Sequence, residues 1–223
     1  MFKHSTPIPT DEELQETHEA PAKTLHPSLP ADKFYHLVLK EKLWRSWSGD
    51  SFGVHYFADL KEDAGPFEVD VKGKSLSFRD KMIVQDSHTS VPVAVILRMY
   101  LKWETTFKIY GLVPYLDQQV PSKEQKHEGK DLYEWASCTD KFFSVRKTLT
   151  VVDGTSYVMD GVGYAISKFR QLRVARNGIP CLYAGEQALG IFTGNQWEIK
   201  IAPGIDPAMM VAFMAVMDEM NEQ

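Results

Sequence analysis

Residues 206–220 read DPAMMVAFMAVMDEM, and the architecture that we predict follows from this segment. Asp206 suits the position that caps a helix, and Pro207 suits its first turn. The apolar residues then run without interruption from Ala208 to Met217. A helix without a polar stripe must be buried on every side, and at about 15 Å this run is too short to cross a bilayer. We therefore predict a buried hydrophobic helix over residues 206–220.

The chain before this helix predicts strand after strand. Apolar and polar residues alternate in FEVDVKG (67–73) and TTFKIYG (105–111), which is typical of half-buried strands. Turn signals such as Asp153-Gly154 and Asn177-Gly178 separate the segments. About twelve strands are expected, six on each side of a polar connection near residues 120–130. Other predicted strands span residues 74–86, 92–99, 132–137, 143–152, 155–161, 164–174, 180–185 and 196–202.

An all-β protein can hide a helix completely only if its strands surround it. A barrel of about eight strands is filled by its own side chains, whereas a helix is about 10–12 Å wide. Cans of about eleven strands do enclose a central helix. We therefore expect a mainly β fold, with a closed antiparallel barrel of about twelve strands around the C-terminal helix. The alternatives are a helix in a dimer interface and a helix that dips into a membrane.

The first 33 residues differ from the rest in composition. They contain Pro7, Pro9, Pro21, Pro27 and Pro30 and show no sustained periodicity. We predict a disordered, Pro-rich tail over residues 1–33 and a single domain over residues 34–223. The tail includes a P-x-x-P sequence at residues 27–30, the minimal ligand of an SH3-type groove. A plain linker is the simpler interpretation, although the tail is where we expect other proteins to bind.

The composition of the 223 residues excludes several classes of protein. The chain is 43% hydrophobic with a formal net charge of −5, which excludes wholesale disorder and argues against a dedicated nucleic-acid binder. Cys138 and Cys181 provide no disulfide framework, which indicates a reducing compartment. No signal peptide or spanning segment is visible. We expect a cytoplasmic monomer that contacts membranes only peripherally.

Three stretches resemble one family. FEVDVKGKSLSFRDKMIVQD (67–86), PVAVILRMYLKWETTFKIYG (92–111) and QWEIKIAPGIDPAMMVAFMAVMDEM (196–220) are similar to the LURP-one-related family, within the Tubby C-terminal-like superfamily and distantly related to phospholipid scramblases. The resemblance covers about residues 35–222. It implies a twelve-stranded barrel around a central helix and a non-enzymatic role. Tubby-like relatives bind phosphoinositide headgroups, and plant relatives are linked to defence, but no lipid-binding motif of that superfamily transfers residue by residue.

Basic residues concentrate in two regions and give the candidate ligand site. Arginine and lysine in such clusters suit phosphate groups, so we expect binding of anionic phospholipid headgroups. The alternative interpretation is a solvated outer face. A protein-interaction or signalling scaffold without lipid binding is the second functional hypothesis. The candidate headgroup ligands are Lys72, Lys74, Arg79, Lys81, Arg98, Lys168, Arg170 and Arg173.

Evidence for catalysis is confined to one short motif. Residues 49–53 match G-x-S-x-G, in which Ser51 would be the nucleophile of a serine hydrolase. That motif needs a strand-to-helix turn, whereas residues 54–58 predict an extended segment, so a glycine-rich hairpin is favoured. The histidines show no metal-ligand spacing, and both cysteines lie in apolar strands. We predict no enzyme activity, no catalytic residue, no metal and no cofactor.

Overall fold

The computed structural model shows a mainly β chain with one long helix. The residues that it describes are 9–16, 18–41, 51–56, 65–72, 81–101, 104–123, 125–140, 146–162, 171–187 and 196–221. The helices are α1 (Asp11–Leu14) and α2 (Pro207–Asn221). The strands are β1 (Tyr35–Glu41), β2 (Ser51–Tyr56), β3 (Phe67–Lys72), β4 (Lys81–Asp86), β5 (Pro92–Leu101), β6 (Glu104–Gly111), β7 (Lys126–His127), β8 (Lys130–Asp131), β9 (Tyr133–Asp140), β10 (Arg146–Val151), β11 (Ser156–Val162), β12 (Gln171–Arg176), β13 (Ile179–Gln187) and β14 (Gln196–Ile201).

Twelve strands follow one another as antiparallel, hydrogen-bonded neighbours. Their order is β1-β14-β13-β12-β11-β10-β9-β6-β5-β4-β3-β2, and β1 also pairs with β2, so the order returns to its start. We call these twelve strands the strand ring. The predicted mainly β, antiparallel fold class is confirmed. Of the strand predicted over residues 74–86, the structure describes only the part that forms β4, since residues 73–80 lie outside the described part of the chain.

The apolar helix lies in the main hydrophobic core. Every side chain from Ala208 to Met217 is at most 4% exposed. The same core contains residues from each of the twelve strands, among them Phe107, Leu149 and Ile199. The predicted burial of this helix is therefore confirmed. Its start, expected at Asp206, is at Pro207, and Asp206 caps it by accepting hydrogen bonds from the N–H groups of the next residues in the first turn.

A second, smaller core lies on the opposite face of β5 and β6. Val95 and Leu97 alternate along β5 with residues of the main core, and they pack with Tyr110 and Leu132. Leu132 ends the connection from β6 to β9, which includes the short hairpin of β7 and β8. We call residues 112–132 the cover segment. The sequence suggested only a polar connection here, whereas the structure packs part of it onto the strand ring.

Candidate functional site

The strand ring has two distinguishable ends. β14 ends at Ile201, and a turn through Pro203 and Gly204 leads directly into α2. We call the end where α2 begins the proximal end and the opposite end the distal end. Because neighbouring strands are antiparallel, their pairing shows at which of these two ends each strand begins and ends. Lys72 and Lys81 lie at the distal end, because their strands pair at the other end through Phe67 and Asp86.

Two of the predicted headgroup ligands face each other at the distal end. Lys72 on β3 and Lys81 on β4 are directly opposite in register. The Lys81 ammonium donates a hydrogen bond to Nδ1 of His127 in the cover segment, at 2.7 Å. An imidazole nitrogen that accepts this bond carries no proton, so His127 is neutral in this arrangement. His127 thus lies beside Lys81, and its Nε2 lies 3.9 Å from Glu128 Oε1.

Arg98 does not lie on the outer basic face that the sequence predicted. It shares its parity on β5 with Ala94 and Ile96, which belong to the main core. Its side chain is only 8% exposed, and the guanidinium lies 5.7 Å from the centre of the Phe107 ring. A guanidinium over an aromatic face is attracted to the ring electrons. The inner position therefore removes Arg98 from the candidate surface.

Arg173 lies on the opposite side of the strand ring from Lys81. Five strands separate β12 from β4 in either direction round the ring. Arg173 alternates with the core residues Leu172 and Val174, so it belongs to the outer face, and Asp160 is opposite it in register. The two predicted clusters thus do not form one patch. The remaining predicted ligands lie outside the described residues, namely Lys74, Arg79, Lys168 and Arg170.

The N-terminal segment corrects the prediction of a disordered tail. Residues 18–33, which we call the strap, pack against the proximal end. The Leu25 side chain is 6% exposed and belongs to the main core. The His26 imidazole donates to Asp86 Oδ2 at 2.8 Å and so ties the strap to β4. The leucine and histidine side chains of the strap are thus buried in the fold, although its proline content indicated a disordered segment.

Asp206 joins the strap to the helix. Its Oδ1 accepts hydrogen bonds from the N–H groups of Ala208 and Met209, at 2.9 and 3.2 Å. Its Oδ2 accepts from the N–H of Leu25 at 2.7 Å. Burial raises the pKa of Asp206 to about 6, against the lowering effect of these three bonds. One buried carboxyl group therefore caps α2 and holds the strap.

A cleft of about 530 Å³ opens beside the strap. The strap contributes Lys23 and Pro27, while β5, the cover segment and β9 contribute Val93, Val113 and Trp135, among others. The lining is predominantly apolar, and Val113 and the nearby Val91 are exposed. Lys23 Nζ is held by Asp117 Oδ1 at 2.9 Å. This cleft can accept an apolar group. It could not be predicted from the sequence, because its walls come from segments that are far apart along the chain.

The described residues offer little to support catalysis. Ser51 begins β2, and the residues after it continue as a strand, so the helix of a nucleophile elbow does not follow it. Burial raises the pKa of Cys138 and of Cys181 to about 12, which keeps both thiols protonated and unreactive. Within the described ranges, no cluster of side chains could hold a metal ion. None of the described helices combines the length and hydropathy needed to span a membrane.

Comparison with known families gives one match. The model of the family described as LURP-one-related matches residues 35–218, from the start of β1 to the last turns of α2. Neither the curated proteins nor the solved structures give a match. The matched residues include the strand ring and most of α2, whereas the strap precedes them.

Proposed function

The chain belongs to the LURP-one-related family, and we propose that it is a non-enzymatic binding protein that engages anionic phospholipid headgroups, such as phosphoinositides, at a membrane surface. The observation that carries this proposal is the pairing of Lys72 with Lys81 at the distal end. The register brings two cationic residues to the same end of the strand ring, and lysine is a common phosphate ligand. The distal end is therefore the side that we assign to the membrane.

Arg173 contributes less to this proposal than the two lysines. It belongs to the other side of the strand ring, where an acidic residue, Asp160, is opposite it in register. Arg98 contributes nothing, because it is buried on the inner face. The paired lysines are thus the part of the predicted site on which a test should concentrate.

A double charge reversal tests the lysine pair. Each basic residue near an anionic membrane contributes about 1 kcal/mol, so Lys72→Glu with Lys81→Glu should weaken binding to vesicles at least about tenfold. The matched control reverses two lysines of the strap at the proximal end, Lys23→Glu with Lys33→Glu, and carries the same net charge. Co-sedimentation with vesicles that contain phosphatidylinositol phosphate measures both affinities, and circular dichroism checks that both variants fold.

The control separates a specific site from general attraction. We expect the control variant to lose no more than about twofold in affinity, since surface charges farther away than about 8–10 Å are screened at physiological salt. Equal losses in the two variants would show that net charge alone governs binding. Unchanged binding in the lysine-pair variant would reject the proposed site.

A protein-interaction role without lipid binding is the second candidate, and the cleft beside the strap favours it. The cleft is apolar and has exposed valines at its rim, as expected for a site that receives a side chain of a partner. An apolar fluorescent dye should bind the parent chain and should bind Val113→Glu several-fold more weakly. Equal dye binding by both proteins would remove the cleft as a candidate.

A further inference from the structure

The strand ring holds the strap largely through its main chain. The N–H of His18 donates to Pro203 O at 3.0 Å, and the N–H of Gly204 donates to Ala31 O at 2.6 Å. The N–H of Leu25 donates to Asp206 Oδ2. The Arg176 guanidinium donates to the carbonyl oxygen of Glu19. Contacts to main-chain groups hold a peptide segment independently of the side chains that it carries.

Two side chains of the strap add selectivity. Leu25 enters the main core, so this position requires an apolar residue of suitable size. The neighbouring imidazole of His26 reaches the carboxylate of Asp86 and packs at an edge-to-face angle against the Phe67 ring, with 5.6 Å between the ring centres. The proximal end therefore selects a peptide in which a leucine is followed by a histidine.

Gly204 shows how closely the strap approaches. A Cβ atom at this position would lie 2.0 Å from the carbonyl oxygen of His18, far inside contact distance. Its φ of +87° is also a conformation that favours glycine. The proximal end thus has a surface on which the backbone of a peptide segment lies in direct contact.

We propose that the proximal end of the strand ring is a peptide-recognition site, which the strap occupies in cis and which accepts in trans a peptide that carries the Leu-His pair of the strap. The family match begins at residue 35, so the strap lies outside the matched segment, whereas Asp86, Arg176, Pro203, Gly204 and Asp206 lie inside it. The site is formed by residues of the strand ring and of the turn between β14 and α2, and the strap is a ligand attached by a short connection. This inference concerns the end opposite the lysine pair and does not rest on the proposed lipid binding.

A tethered ligand hides such a site from a free peptide. A short connection gives the strap an effective concentration in the millimolar range, so a micromolar peptide cannot displace it from the intact chain. The test therefore severs the connection. A site for a sequence-specific protease is inserted between Asp32 and Lys33, both of which are exposed, and the folded full chain is cleaved there.

The probe is a fluorescent synthetic peptide with the sequence of residues 18–32. We expect the cleaved N-terminal fragment to co-elute with the rest of the chain in gel filtration and to exchange with this peptide. The same protein left uncleaved should bind the peptide at least about tenfold more weakly. A peptide with Leu25→Asp should bind the cleaved protein at least about tenfold more weakly than the parent peptide, while Ala22→Asp, at an exposed position, should bind like the parent.

Several results would overturn the proposal. Unfolding of the cleaved protein, or a fragment that never exchanges, would show that the strap is an integral part of the core. Equal binding of the Leu25→Asp and Ala22→Asp peptides would show that the site does not recognise the Leu25 side chain. In the intact chain, hydrogen exchange gives an independent check, since the amide of Leu25 should exchange by local opening at least about tenfold faster than the amide of Phe213 in α2. Equal exchange rates would exclude a strap that opens separately.

Discussion

At the scale of single residues, Asp206 determines how the strap and the helix are joined. Its role as a helix cap follows from the sequence, because aspartate before proline and an apolar run is a recognised start of a helix. Its bond to Leu25 does not follow from the sequence, since that contact joins residues 181 positions apart. Local patterns specify local contacts, whereas the strap is positioned by the folded ring.

We predict that Asp206 makes the stability of the protein fall as pH rises through about 6. Burial raises its pKa from 3.8 to about 6 in the folded state, so the folded protein binds this proton more tightly than the unfolded chain does. The protonated Asp206 carboxyl contributes its full stabilisation of the folded state below about pH 4, and this contribution is lost above about pH 6. A shift of this size corresponds to about 3 kcal/mol.

The measurement compares the parent with Asp206→Asn, which cannot ionise. Denaturant unfolding between pH 4.5 and 7.5 should show a loss of stability in the parent that the variant lacks. Asp86 does not interfere, because the hydrogen bonds from Thr89 and His26 outweigh its burial and lower its pKa to about 2, so its effect lies below this window. Parallel pH profiles for the two proteins would contradict the assignment.

At the scale of elements, α2 shows what an apolar pattern can specify. A helix without a polar stripe can be stable only when it is surrounded, and the structure places it in the core to which all twelve strands contribute. The cover segment shows the limit of such arguments. Its polar residues indicated a solvent-exposed connection, but Leu132 and His127 are buried on the outer face of the ring. Single buried residues in a polar stretch leave no periodic signal.

We predict that Phe213→Asp abolishes soluble folding. The Phe213 side chain is fully buried in α2, and an unpaired buried carboxylate costs several kcal/mol against a total stability of about 5–15 kcal/mol. Phe213→Ala should still fold, with a loss of about 3–5 kcal/mol in the free energy of unfolding. Val113→Asp, at an exposed position, is the matched control and should change stability by less than about 0.5 kcal/mol. Soluble expression and denaturant unfolding would measure all three, and a normally folded Phe213→Asp protein would show that α2 is not in the core.

At the scale of the whole molecule, the chain has two ends with different chemistry. The fold class and the buried helix could be predicted, because strand alternation and the apolar run are properties of the sequence itself. The arrangement of the basic residues could not. Lys72 and Lys81 come together and Arg173 is on the far side of the ring only because of the order in which the strands pair. The parity of a single strand likewise could not show that Arg98 faces inward, since its core-facing side was not known.

Binding of the unmodified full chain to vesicles of defined composition is the decisive measurement for the proposed headgroup site. Neutral phosphatidylcholine vesicles are compared with vesicles that also contain phosphatidylinositol phosphate, at low and at physiological salt. We expect binding only to the anionic vesicles, with an affinity that falls as salt rises, because the attraction of the paired lysines is electrostatic. Equal binding to both kinds of vesicle, or no binding to either at low salt, would contradict it.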